Sequence, residues 1–221
     1  MISAVIFDFD GVIVDSERIH LNAFNRVLAP YGKQISWNDY LGVYIGFDDR
    51  DAFRCAMPDI DSKTLFELIE EKETVFQNLI TTGGIIALPG AVELINNLAE
   101  KIPVALCSGA RKADIDLIIN GLNIRQSFSA IITAEDTAVS KPDPAPYRKA
   151  WETLSKKFPQ LTDPSTAVAI EDTAAGIKSA KGAGLRTLAV TNSYPAEKLS
   201  SADAVVNSLA GLTLEKLQLL F

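Results

Sequence analysis

The stretch Ala4-Val5-Ile6-Phe7-Asp8-Phe9-Asp10-Gly11-Val12 decides the fold. An unbroken apolar run, rich in β-branched residues, ends abruptly in two carboxylates and a glycine. A run that is apolar at every position reads as a strand covered on both faces, the form strands take in parallel sheets. The same design recurs at residues 104–107, 130–133, 167–170, 187–190 and 204–206, each run ending in small or acidic residues. Helical patterns separate most of these runs. Residues 90–100 carry Val92, Leu94, Ile95 and Leu98 at helical spacing, and residues 112–120, 147–154 and 176–182 read similarly. Alternating strands and helices predict βαβ units around a parallel sheet.

One interval breaks the alternation. Residues 16–86 hold no convincing strand run and instead carry amphipathic helical patterns at 17–31, 37–43, 48–56 and 62–79. In the last, Leu65, Leu68 and Ile69 share one face. Thr81-Thr82-Gly83-Gly84 reads as a flexible return, and the alternating pattern resumes near Leu88-Pro89-Gly90. The expected organisation is therefore an α/β core of residues 1–15 and 87–221 with an inserted helical domain of residues 16–86.

The 221 residues are 48% hydrophobic and 22% charged, which excludes a disordered chain. The net charge of −7 and the lack of any basic stripe leave no footprint for nucleic acid. No apolar run reaches the ~20 residues of a membrane span, and the N-terminal apolar run lacks a basic start and is cut by Asp8 and Asp10. A cytoplasmic, monomeric protein with no membrane partner is the expectation. Cys55 and Cys107, 52 residues apart and flanked by small or apolar residues, read as buried reduced thiols.

Chemistry-bearing residues gather just after the expected strands, where ligands bind in open α/β sheets. Asp8 and Asp10 are two positions apart, so both can face one pocket, and Gly11 permits a tight turn. Ser108-Gly109-Ala110-Arg111 follows the 104–107 run and supplies a hydroxyl and backbone N–H groups suited to an anion. Ser140-Lys141-Pro142-Asp143-Pro144 holds a lysine in a proline-fixed loop, just after an extended segment. Glu171-Asp172 closes the 167–170 run with two acids, a cation ligand with a supporting carboxylate. Each has an ordinary alternative: acidic turn residues, an N-cap serine, a solvated lysine, a helix cap at Asp172. His20, the only histidine, lies with Arg50 and Lys72 in the insertion, where a structural role is the commoner one.

As a set, an acid pair, a hydroxyl, a lysine and a second acid pair form an inventory for phosphoryl transfer. These residues resemble the four signature motifs of the haloacid dehalogenase superfamily, namely the segment from Phe7 to Ser16, then Ser108, Lys141-Pro142 and Glu171-Asp172. The resemblance spans essentially the whole chain, and the insertion is similar to the small helical cap of the β-phosphoglucomutase-like phosphatase branch. It implies a Rossmann-like parallel core with helices on both faces and an all-helical cap closing over the site. It further implies Asp8 as the nucleophile that takes the phosphoryl group and Asp10 as the acid/base. Ser108 and Gly109 would hold phosphate, with Arg111 beside them, and Lys141 would neutralise charge. The implied cofactor is Mg²⁺, held by Asp8, Asp10 through its backbone carbonyl, Asp172 and, in or near the shell, Glu171. The family's cap His, Arg and Lys align with His20, Arg50 and Lys72, implying contacts to a small, sugar-like phosphomonoester.

Charge supports the metal independently. Four acids against Lys141 leave −3 in one pocket, and two like charges 4 Å apart repel by about 4 kcal/mol at an effective dielectric near 20. One divalent cation and a protonated Asp10 bring the sum to zero, and all-oxygen ligands suit Mg²⁺ over zinc. A Mg²⁺-dependent phosphatase is thus the expected function, with a sugar phosphomutase as the alternative. Ala110-Arg111 and the 43–49 stretch depart from the mutase pattern. A phospho-accepting signalling module is a remote third reading, because such domains are about half as long. No G-x-G-x-x-G follows the first run, which disfavours a dinucleotide binder.

Overall fold

The structure is a computed structural model that describes residues 1–45, 47, 49–83 and 86–221. In chain order its elements are β1 (Ala4–Phe7), α1 (Glu17–Leu28), α2 (Trp37–Asp39), α3 (Asp49–Ala56), α4 (Ser62–Gly83), α5 (Ala91–Ala99), β2 (Val104–Cys107), α6 (Lys112–Gly121), β3 (Ala130–Ile132), α7 (Ala145–Lys157), β4 (Ala167–Glu171), α8 (Ala174–Gly182), β5 (Arg186–Val190), β6 (Ala204–Val206) and α9 (Leu214–Gln218). They fall into two compact units, one of Met1–Asp15 with Ile86–Phe221 and one of Ser16–Ile85.

The first unit is Rossmann-like α/β, with a parallel sheet in the order β3-β2-β1-β4-β5-β6. Strand β1 is wholly buried and lies between β2 and β4, which explains its lack of polar residues. On one face Ala4 and Ile6 of β1 join Ala105, Cys107, Ala167 and Ala169 in a cluster closed by Tyr147, Ala150, Trp151 and Leu154 of α7. Those helical positions recur at three- and four-residue spacing, so α7 lays one stripe on the sheet. Phe7 pairs with Leu106 on one side and Ile170 on the other. One residue further on, Asp8, Cys107 and Glu171 therefore finish their strands level with one another.

Past β1 the chain folds tightly back. The amides of Ile13 and Val14 donate to the Phe9 carbonyl at 2.8 and 3.2 Å, and Gly11 N–H donates to Val14 O at 2.9 Å. Val14 then bridges Ala87, and Leu88 N–H donates to Ile13 O at 2.8 Å. Where the chain leaves this unit and where it returns are thus bonded side by side.

The second unit is helical, around Phe24, Val27, Leu28, Ile35, Tyr40, Ala52, Phe53, Leu65 and Leu68. Phe24 meets Phe53 edge-on at 5.1 Å, a favoured aromatic geometry. The helix expected over 37–43 is only one turn, α2, capped by Ser36, whose Oγ accepts from Asp39 N–H at 3.1 Å. It widens into a π-turn over Tyr40–Tyr44, along which Trp37, Tyr40 and Tyr44 stack.

Three local expectations are corrected. Thr81, Thr82 and Gly83 are helical rather than a flexible return; Gly84 lies outside the described residues. The Thr81 and Thr82 hydroxyls donate back to the Gln77 and Asn78 carbonyls at 2.8 and 2.7 Å, so these residues stay in the helix. Cys55 is exposed, because Ala52 and Phe53 take the inward face of α3 and Cys55 turns away at 100° per residue, whereas Cys107 is buried as expected. Lys141 follows turns rather than an extended segment, since β3 ends at Ile132 and a 3₁₀ turn occupies Ala134–Asp136.

Candidate active site

At the carboxyl edge of the sheet, Lys141 gathers the acids. Its Nζ donates to Asp8 Oδ1 at 2.6 Å, Glu171 Oε1 at 2.7 Å and the Cys107 carbonyl at 3.0 Å. It also lies 4.8 Å over the Tyr147 ring. Burial opposes the ammonium, but the Asp8 and Glu171 carboxylates more than offset it and hold Lys141 well above its ordinary range.

Glu171 is fully buried, and both of its oxygens are engaged. Oε1 accepts from Lys141 and from the Tyr147 hydroxyl at 2.7 Å; Oε2 accepts from Thr173 Oγ1 at 3.1 Å and Asp172 N–H at 3.3 Å. A Cβ on Gly176 would overlap this carboxylate, so glycine at the start of α8 is what lets Glu171 pack there. Asp172 differs. Its Oδ2 accepts from the Ser193 hydroxyl, but its buried Oδ1 has no partner among the described residues. Gly11, at φ +73°, holds a backbone conformation that favours glycine, and a Cβ there would overlap the Asp172 carboxylate. Asn192 Nδ2 donates to Gly11 O at 2.8 Å and braces this turn.

Asp8, Glu171 and Asp172 each place a carboxylate oxygen within 4.8 Å of the others, all buried. Burial, then the Glu171 charge, pushes Asp8 up to about 7 despite Lys141; Asp172 is driven well above its ordinary range by burial, Asp8 and Glu171. Buried acids so crowded, one with an unpaired oxygen, are what a hard divalent cation relieves, and an all-oxygen donor set fits Mg²⁺. Asp10 is half-buried and outside this trio, close enough for its charge to add to the Asp8 shift.

Ser108 is buried just past β2, its Oγ accepting from Ala110 N–H at 2.9 Å. It is not the cap of α6, a position held by Arg111, nor does Asp172 cap α8, where Thr173 accepts from Gly176 N–H at 3.0 Å. A cavity of about 200 Å³ opens beside Ser108, Gly109 and Lys141, walled by residues 137–140. Arg111 is exposed at its rim of the core, next to the acidic Glu135. Tyr147, Thr173, Asn192 and Ser193 were not anticipated. The one available signal was that Thr191-Asn192-Ser193 follows an apolar run at the same sheet edge.

In the helical unit, Lys72 is buried, with Nζ 2.7 Å from Asp49 Oδ1 and 3.0 Å from His20 Nδ1. Arg50 is exposed on α3. His20 and Lys72 thus meet, and Arg50 stands apart from their contact.

Fold and pocket define an enzyme that works on phosphoric monoesters. The chain belongs to the haloacid dehalogenase-like hydrolase family, whose profile matches residues 5–190. It is 26% identical to the validoxylamine A 7'-phosphate phosphatase of Streptomyces hygroscopicus subsp. limoneus, over 95% of each chain. The crystal structure of CbbY from Rhodobacter sphaeroides in complex with phosphate is similar at a TM-score of 0.86 and 26% identity, covering 99% of this chain and 100% of that one. A mutant of that CbbY was solved with xylulose-(1,5)bisphosphate. β-Phosphoglucomutase from Clostridium difficile is similar at a TM-score of 0.82 and 25% identity, over 100% and 97% of the two chains. Among the described residues no helix is long and apolar enough to cross a membrane.

Proposed function

We propose that this protein is a Mg²⁺-dependent phosphatase of a small, sugar-like phosphomonoester, acting through an aspartyl-phosphate on Asp8. The observation that carries the reading is the Lys141 ammonium bonded to Asp8 and Glu171, beside an Asp172 oxygen left unpaired. Asp8 and Asp172 would hold the ion, with the Asp10 carbonyl completing the protein's share and Glu171 in or near the shell. When bound, Mg²⁺ supplies the positive charge that lets a phosphate dianion enter a pocket of acids.

The chain's own groups then divide the work. Lys141 holds Asp8 in place as the attacking carboxylate and offsets charge on the transferring group. Asp10 protonates the leaving oxygen and then draws a proton from the water that cleaves the acyl-phosphate. The Ser108 hydroxyl and Gly109 N–H hold phosphate oxygens, with Arg111 beside them. His20, Lys72 and Arg50 of the helical unit, acting as a cap, read the rest of the substrate. Arg50 suits a second anionic group, and the bisphosphate seen with CbbY supports a substrate of that kind. We place the enzyme in the cytoplasm as a monomer; its two free thiols suit a reducing compartment.

The test is a Mg²⁺-supplemented screen against phosphorylated sugars, polyols, glycolate and nucleotides, with Asp8→Asn as control. Phosphate release that needs Mg²⁺ and vanishes in Asp8→Asn is expected; retained turnover would overturn the nucleophile. The likeness to β-phosphoglucomutase makes a mutase the second reading, marked by isomerisation that needs a bisphosphate primer instead of phosphate release.

A further inference from the structure

The core reading leaves one group unused: Asp49, at the first residue of α3. Its Oδ1 lies 2.7 Å from the buried Lys72 Nζ, which also stands 4.9 and 5.2 Å over the Phe24 and Phe76 rings. The same Nζ is 3.0 Å from His20 Nδ1, and the His20 ring stacks on Phe76 at 4.2 Å. An ammonium has three hydrogens and no lone pair, so toward His20 it can only donate. Nδ1 must then accept, and the ring hydrogen resides on Nε2.

We infer that Asp49 is a positioning residue: by anchoring the Lys72 ammonium beside Nδ1 it fixes His20 as a ring whose Nε2–H can only donate. The helical unit then meets a ligand at this point as a hydrogen-bond donor to a hydroxyl or ester oxygen, and His20 is not a proton carrier. Asp49 does this without touching the ring. The contacts of several neighbouring charged side chains lead away from the ring. Glu17 accepts from the Tyr40 hydroxyl, Arg18 covers the Trp37 ring, Glu73 accepts from Gln77, and Arg50 is exposed. The ring's surroundings agree, since burial and the Lys72 charge hold His20 well below its ordinary range.

The chain's single histidine makes the test direct. Nitrogen-15 spectra of the labelled full-length protein report one imidazole. In wild type, a bare Nδ1 and a protonated Nε2 are expected, unchanged as pH falls through the ordinary histidine value of about 6.5. Lys72→Met, similar in length, removes the ammonium but keeps the burial, so the midpoint should rise part of the way toward the ordinary histidine value of about 6.5, and the fixed tautomer should be lost. Asp49→Asn strips Lys72 of its counter-charge. With the ammonium no longer anchored beside Nδ1, a share of the Nδ1–H form should appear. An Asp49→Asn spectrum and titration matching wild type would overturn the role of Asp49, as would a wild-type ring that titrates near 6.5. Circular dichroism confirms that each variant is folded, and Lys72→Met keeps the test open if Asp49→Asn is not. None of these readouts depends on which reaction the core catalyses.

Discussion

Proton and metal should compete for Asp8. In the metal-free protein its carboxyl sits at about 7 against an ordinary 3.8, with burial the main cause. A raised acid is favourable while protonated, so the metal-free fold is most stable at low pH and loses stability as pH climbs from 3.8 through 7. Between pH 6 and pH 8 the loss from this group is on the order of 1 kcal/mol, or roughly 2–4 °C in Tm for a chain of this size. Mg²⁺ requires the ionised carboxylate, whose fraction rises from about a tenth to about nine-tenths over the same range, so apparent affinity should strengthen about tenfold. Asp172 is shifted in the same direction, which makes tenfold a floor. Titration calorimetry and thermal unfolding at pH 6, 7 and 8, at matched ionic strength, measure both effects. Asp8→Asn should flatten the pH dependence. A wild-type dissociation constant that is equal within twofold at pH 6 and pH 8 would refute the reasoning.

Three substitutions probe the same pocket and its surroundings. Gly11→Ala costs about 1–2 kcal/mol in backbone strain and pushes a methyl into the Asp172 carboxylate; calorimetry should show Mg²⁺ binding weakened at least tenfold, and unaltered binding would count against that cradle. Ser193→Ala removes the hydroxyl that donates to Asp172, worth about 1–2 kcal/mol, so Mg²⁺ affinity at pH 7 should fall several-fold and recover partly at pH 8; identical affinity curves would reject the role. Arg50→Ala should cost more kcat/KM on a bisphosphate than on a simple aryl phosphate, and equal losses would remove Arg50 from substrate recognition.

What the sequence made legible follows from where signals are local. An apolar run ending in an acid or a small polar residue marks both a buried strand and its carboxyl end, so Asp8, Ser108, Glu171 and Asp172 could be read directly. Lys141 was readable through its prolines. Tyr147 was not, because an aromatic residue on a helix looks like ordinary core, and its hydroxyl gains a role only once α7 lies against β4. Gly176 was equally silent. Its lack of a side chain matters only against Glu171, five positions earlier on another element. Cys55 failed for a different reason: flanking composition does not reveal which side of a short helix turns inward. The Lys72–Asp49 contact joins residues 23 apart whose charges, taken singly, look like solvent-facing helix positions.

The bonded crossing, with Asp15 and Ile86 held 3.4 Å apart from backbone N to O, carries a consequence for how such enzymes diversify. Joining the ends of an insert is entropically cheap when the scaffold already presents them as neighbours, and the penalty grows only slowly with insert length. The inserted segment can therefore be lengthened, trimmed or exchanged at this seam while the acids and lysine of the sheet keep their spacing, so one part of the chain can change without rebuilding the other.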